Sequence, residues 1–248
     1  MRPGQATNGV PPPSGAGPAR LHRARTFVPV RADGDVESAR AVYDASADRY
    51  VRSVGTELDE ATEGPIDQAL LLAFVELVPA RTPTRVADLG CGPGRVAAFL
   101  ARHGLEVVGL DVSREMLLRA RSAHPTIAFQ EWRLDALPIE TGSLAGAVCW
   151  YSIIHLPPAA LDPVFAEVAR VLGAGGQLLL AFQEGAGDPV HRADAHGTGL
   201  PLTSYRHGVE DVTQRLQLAG FVVHATARRA PELAHESTPQ AFVLARVP

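Results

Sequence analysis

A chain of 248 residues with 46% hydrophobic content is long enough to bury one substantial core. Its formal charge of −4 argues against a polyanionic partner, because binding a phosphate backbone leaves a basic face. Two cysteines, Cys91 and Cys149, are too few for a disulfide framework and stand apart from any metal-ligand spacing, and no apolar run approaches a membrane-spanning length. These readings lead to the expectation of a cytoplasmic protein with reduced thiols, no metal, no nucleic-acid partner and no membrane contact.

Residues 1–35 are rich in Pro, Gly, Ala and Arg and lack an apolar signal core, so they read as a mobile tail. Its arginines (Arg20, Arg23, Arg25, Arg31) read as solvated. From Val36 to Val54 the spacing predicts a helix with Ala39, Val42, Tyr43, Ala47 and Tyr50 on one side. A second helix is predicted over Pro65 to Val78, with Pro65 suited to a first helical position.

Arg85 to Leu100 reads as strand, tight turn, helix: an apolar run ending near Asp88, then Gly90, Gly92 and Gly94, then Val96, Ala97 and Leu100 at helical spacing. Glycines there allow positive φ and close approach of a ligand to the main chain, and the N–H groups opening the helix face that ligand. The dinucleotide fingerprint G-x-G-x-x-G is not met, because the third glycine comes one position early and Arg95 stands where glycine is required. Asp88 would repel a pyrophosphate and attract a cationic amino acid.

The run D-L-G-C-G-P-G resembles the first motif of class I S-adenosylmethionine-dependent methyltransferases, whose ligand carries an ammonium and a sulfonium and no phosphate. The resemblance covers roughly Val36 to the end. It implies an α/β fold, a doubly wound Rossmann-like seven-stranded sheet, mostly parallel with an antiparallel final strand and helices on both faces. It also implies a domain over 36–248 with an N-terminal helical cap (36–80) and a lid insertion (183–207). Within it, S-adenosyl-L-methionine would be held by the turn residues Asp88, Gly90, Cys91, Gly92, Gly94 and Arg95. Asp111, ending a predicted strand over Leu105 to Leu110, would take the ribose hydroxyls, with Val112 beside it. Ser113 reads as a helix N-cap, and Met116 in the following turn matches a family position that touches adenine. After a third strand over Ile127 to Arg133, Asp135, Ala136 and Leu137 match the family's adenine pocket. Tyr43 and Tyr50, seven residues apart, would line the cofactor and substrate space.

Ser143 to Ile154 reads as the fourth strand, bringing Trp150, Tyr151 and His155 to the sheet's carboxyl edge. Trp150 is expected at the cofactor, and His155 and Tyr151 are the candidate catalytic residues, His155 as a general base or as a structural cap. The edge sequence C-W-Y-S departs from the Asn/Asp-Pro-Pro-aromatic motif of nucleic-acid amino methyltransferases. A helix over Ala159 to Leu172 and a strand over Gln177 to Phe182 follow, joined by R-V-L-G-A-G-G-Q, which resembles the family's helix–turn–strand. Gln183 to His207 is a polar stretch predicted as a substrate lid, with Glu184, His191 and His196 as further polar candidates. A helix over Val209 to Ala219 and strands over Phe221 to Arg228 and Gln240 to Arg246 close the chain.

These readings point to methyl transfer to a small-molecule acceptor in specialised metabolism. An NAD(P)-linked oxidoreductase and a non-catalytic cofactor-binding protein stand as the alternatives.

Overall fold

A computed structural model describes Met1, residues 33–79 and residues 84–248. The expectation for the tail and its four arginines lies outside the described residues. Chain order is α1 (Asp33–Val54), α2 (Pro65–Leu77), β1 (Arg85–Leu89), α3 (Arg95–Arg102), β2 (Glu106–Asp111), α4 (Arg114–Ala123), β3 (Ala128–Glu131) and β4 (Leu144–Trp150). Then come α5 (Leu161–Val171), β5 (Leu172–Gln183), β6 (Pro189–Arg192), β7 (Leu202–Tyr205), α6 (Val209–Leu218), β8 (Val222–Arg229) and β9 (Gln240–Arg246).

Seven strands form one sheet in the order β3-β2-β1-β4-β5-β9-β8. β1, β2, β3, β4 and β5 pair in parallel, and β9 inserts antiparallel between β5 and β8. This is the expected doubly wound α/β sheet. The central strands are buried on both faces, as parallel sheets demand. Alternation along them divides the core. Ala87, Leu89, Ala147 and Leu180 pack toward α5 and α6, whereas Val86, Val148 and Leu179 pack toward α2, α3 and α4.

Two expectations need correction, and one stretch holds structure that the sequence reading did not give. β4 stops at Trp150 instead of running to Ile154, because Tyr151 adopts φ +55° and turns the chain into a short 3-10 turn over Ile153–His155. The helix expected from Ala159 starts at Leu161 behind a second 3-10 turn over Pro158–Ala160, since prolines at 157 and 158 hold the entry out of the α-helix. The polar stretch 183–207 is no plain loop. β6 and β7 form a separate antiparallel hairpin whose Leu202 and nearby Ala195 bury against Ala39 and Val42 of α1. Its few apolar side chains, widely spaced among polar ones, hid that pattern from a periodicity reading.

Candidate active site at the carboxyl edge of the sheet

The glycine turn is built onto the end of β2. Gly90 N and Cys91 N donate to Leu110 O at 2.7 and 3.0 Å, and Gly92 N donates to Asp111 Oδ2 at 2.8 Å. Asp111 Oδ1 accepts from Ser113 N at 2.8 Å, so one carboxylate fixes the turn and the next helix entry together. Burial pushes the Asp111 carboxyl up, against the downward pull of these backbone donors. Ser113 caps α4 as expected, its Oγ accepting from Met116 N at 3.1 Å. Asp44 of α1 docks on the same helix end, accepting from Ser113 Oγ at 2.7 Å and Glu115 N at 3.1 Å.

An open cavity lies over this edge. Eleven of the expected residues line it: Tyr43 and Tyr50 from α1, Gly90 and Gly92, then Asp111, Val112 and Met116, Asp135, and finally Trp150, Tyr151 and His155. Asp135 is gripped by Arg133 through two bonds of 3.0 and 2.8 Å, and Arg133 holds its carboxyl below the usual range. Tyr43 Oη lies 2.9 Å from His155 Nε2. Tyr50 and His196 crowd the same corner, with ring centroids 5.6 to 5.8 Å apart from one another and from Tyr43.

Six expected residues stay off the cavity wall. Asp88 is 1% exposed and accepts from Ala97 N at 2.9 Å, so it anchors the first turn of α3 and does not face a ligand. Its carboxylate also takes the N–H on which a pyrophosphate would rest. Cys91 is buried beneath the turn against the β2 backbone at Gly109. Gly94 caps α3 at φ +87°, where an added Cβ would come within 2.9 Å of the Phe129 ring. Arg95 turns away to a buried pair with Glu63 and donates to Thr62 Oγ1 at 2.6 Å. Ala136 borders a shallow neighbouring hollow with Arg40 and Trp132, and Leu137 belongs to the core.

Sequence reasoning missed several wall residues. Trp132, Arg133 and Leu134 sit directly before Asp135, and Val36 and Ala39 lie on the α1 face already singled out, so their proximity was a usable signal. Ser152, Leu156, Ala160, Pro163 and Val164 carried none, because the turn at Tyr151 brings them in. Among the described residues the Tyr151 hydroxyl has no hydrogen-bond partner although Tyr151 lines the cavity, as expected of a pocket shaped for a polar ligand.

Burial lowers His155 to about 4, with the Arg192 guanidinium adding to the effect. Its Nε2 therefore accepts from the Tyr43 hydroxyl, while Nδ1 approaches the Thr203 backbone without closing a hydrogen bond. Burial pushes the Tyr151 phenol up. Neither group is tuned for proton abstraction near neutral pH.

Residues 86–176 match the methyltransferase domain family. Those residues are a methyltransferase domain. The match runs from β1 into β5 and so includes the glycine turn, Asp111, Asp135 and His155. The chain is 32% identical over 122 residues to a malonyl-[acyl-carrier protein] O-methyltransferase of Erwinia billingiae, covering 49% of this chain and 47% of the relative. It is 35% identical over 149 residues to a trans-aconitate 2-methyltransferase of Methylobacterium nodulans, covering 58% and 55%. The chain thus spans about half the length of the curated relatives it matches. In fold it is similar to magnesium protoporphyrin IX methyltransferase of Synechocystis, solved with S-adenosylhomocysteine, with a TM-score of 0.63 at 20% identity, covering 86% of this chain and 100% of that one. No described helix of the methyltransferase domain or its flanks is long and apolar enough to cross a membrane.

Proposed function

We propose that this chain is an S-adenosylmethionine-dependent methyltransferase acting on a small-molecule acceptor. The observation that carries the reading is a cavity crossing successive strand tips with Asp111 and Asp135 on its wall and the glycine turn as its floor. Asp111 retains acceptor capacity for two ribose hydroxyls, since each carboxylate oxygen holds one backbone N–H and has a second lone pair. Asp135 would accept from the adenine amino group, with Val112, Met116 and Leu134 of the cavity wall as apolar neighbours for the ring. Gly90, Gly92, Tyr50 and Trp150 enclose the amino-acid end. Bound there, the cofactor would supply an electrophilic methyl on sulfur, in a cavity whose wall includes Tyr43, Tyr151 and His155.

Alignment of the two partners is what this site contributes most to the reaction. A phenol near 10 giving its proton to an imidazole near 4 faces about six units, or about 8 kcal/mol. His155 therefore serves as a neutral hydrogen-bond acceptor that fixes Tyr43 over the site, and the general-base role expected for it is dropped. The helices over 36–80 and the hairpin within 183–207 act as the cover under which the acceptor is held. The charge of −4 and the relatives' acceptors, trans-aconitate among them, support a small molecule over a nucleic acid.

Calorimetry with S-adenosylhomocysteine and with NAD tests the cofactor. Micromolar binding of the first and none of the second is expected, and the reverse overturns the reading. Labelled methyl transfer to a panel of small acceptors, tRNA and peptide tests the acceptor class. Incorporation confined to tRNA or peptide overturns it, and saturable cofactor binding with no transfer above background identifies a non-catalytic binder.

A further inference from the structure

The cavity wall has an apolar part that the methyltransferase reading leaves free of cofactor, and it comes from two helices. Val36, Ala39 and Tyr43 lie three and four residues apart, so α1 presents them on one face. Ala160 caps α5, Pro163 and Val164 follow it three and four residues on, and Leu156 lies just before in the chain. Val36 packs against the core cluster to which Leu156, Ala160 and Val164 belong, so the two helices build one apolar stretch of wall. Ala39, Leu156, Ala160 and Val164 are each at most 7% exposed, and a guest lying on them is shielded from water.

Among the described residues, the ionised side chains on the wall are Asp111, Arg133 and Asp135. The Arg133 guanidinium is spent on Asp135, bonded to its two oxygens at 3.0 and 2.8 Å. Asp111 holds Gly92 N and Ser113 N and would repel an anion. A cation would meet the like charge of the cofactor's sulfonium. What polarity remains is uncharged: the hydroxyls of Tyr43, Tyr151 and Ser152, and a His155 imidazole that burial keeps neutral. Tyr43 Oη donates to His155 Nε2 and keeps lone pairs with which to accept from a guest. An ionised group brought onto such a wall loses its hydration with no counter-charge in return, whereas every methylene laid on it is favoured.

We propose that the acceptor is an uncharged molecule with an apolar body, lying against Val36, Ala39, Ala160 and Val164 and presenting one hydroxyl-sized polar group to Tyr43 and Tyr151. The inference rests on the methyltransferase reading and specifies its substrate class.

The experiment titrates the full chain, saturated with S-adenosylhomocysteine, with para-ethylphenol, para-propylphenol and para-butylphenol. Tyramine is the ammonium counterpart of para-propylphenol, and para-hydroxyphenylpropanoate is the carboxylate counterpart of para-butylphenol. Affinity is expected to rise about fourfold with each added methylene, and each charged counterpart to bind at least about tenfold more weakly than its neutral match. Ala160→Leu fills the apolar wall and should weaken para-butylphenol at least about tenfold, with S-adenosylhomocysteine affinity kept within about threefold. Val36→Lys, at a half-buried position where the longer stem can reach solvent, should reverse the order of para-butylphenol and its carboxylate counterpart. Where circular dichroism shows Ala160→Leu unfolded, Val36→Lys decides alone. Equal or tighter binding of the charged counterparts, no gain with chain length, binding of none of the phenols, or para-butylphenol affinity unchanged in the folded variants overturns the proposal. Failure of the wild-type chain to bind S-adenosylhomocysteine overturns the methyltransferase reading instead, so the two failures are distinguishable.

Discussion

Tyr43 Oη and His155 Nε2 are 2.9 Å apart, and that bond joins the N-terminal helix to the turn after β4 across 112 residues of chain. The distance has a chemical consequence: it uses the imidazole lone pair that a general base would need free. α1 and the turn after β4 are therefore held together by the residue considered for proton transfer in the sequence analysis.

His155 gives a prediction in pH. The imidazole falls from its usual 6.5 to about 4 in the folded chain, so the unfolded chain binds the proton more readily between those values. Its contribution to stability is complete above about pH 6.5 and is lost as pH falls toward 4. His155→Gln keeps an acceptor for Tyr43 and cannot be protonated in this range. Urea denaturation should show the wild-type chain losing more stability than His155→Gln between pH 7.5 and 5. A steeper loss in the variant would show that His155 is charged in the native state.

Asp111 and Asp88 should separate in cofactor binding. Asp111→Ala removes the acceptor for Gly92 N and Ser113 N and a carboxylate on the cavity wall. S-adenosylhomocysteine affinity should fall at least about tenfold, as for a lost charged hydrogen bond. Asp88→Asn keeps an oxygen for Ala97 N and touches no cavity wall, so calorimetry should find its affinity within about threefold of wild type. A larger loss in Asp88→Asn would return Asp88 to the binding site.

The contrast between those two carboxylates shows what was legible in the sequence. Asp111, Gly92 and the Ser113 cap were readable because their partners lie within a turn or at a strand end that local pattern already marks. Asp88 was misplaced because its partner, Ala97, lies nine residues on, and only the closed turn reveals that the bond points inward. Arg95 was misplaced for the same reason, its buried partner Glu63 lying 32 residues earlier. The doubly wound seven-stranded sheet was expected from the resemblance that the glycine turn carries, and its strand order came only with the structure. The hairpin was not expected, since β6 is polar and its packing is supplied by α1, more than a hundred residues away.

Gly90 should tolerate no side chain. At φ +79° an L-residue costs roughly 1–2 kcal/mol, and an added Cβ would sit 2.2 Å from Ser152 Cβ, an overlap costing roughly 1–3 kcal/mol more. Gly90→Ala should destabilise the chain by about 3 kcal/mol in urea titrations. Adding Ser152→Gly should recover only the packing share, leaving the backbone share. Full recovery would place the whole cost in the contact, and no recovery would place it in φ.

The last prediction concerns the buried cluster Asp67–Arg229–Glu236. Arg229 of β8 bonds Asp67 of α2 at 2.8 and 2.6 Å and Glu236 at 2.7 and 2.6 Å, with all three side chains at most 4% exposed. Burial pushes the Glu236 carboxyl up, but the bonds from Arg229 and from the Glu232 and Leu233 N–H groups outweigh it and bring the group down to about 2. Removing one partner of such a cluster leaves buried charge uncompensated, at about 3–5 kcal/mol. Arg229→Ala should therefore destabilise the chain by that order at pH 7. Because the folded value lies below the usual 4.5, this contribution is present above about pH 4.5 and shrinks as pH falls toward 2. The gap between wild type and Arg229→Ala should narrow in denaturation at pH 3, where carboxylates left without the arginine take up protons. A gap that is equal at pH 7 and pH 3 would assign the loss to the packing of the arginine stem and not to its charge.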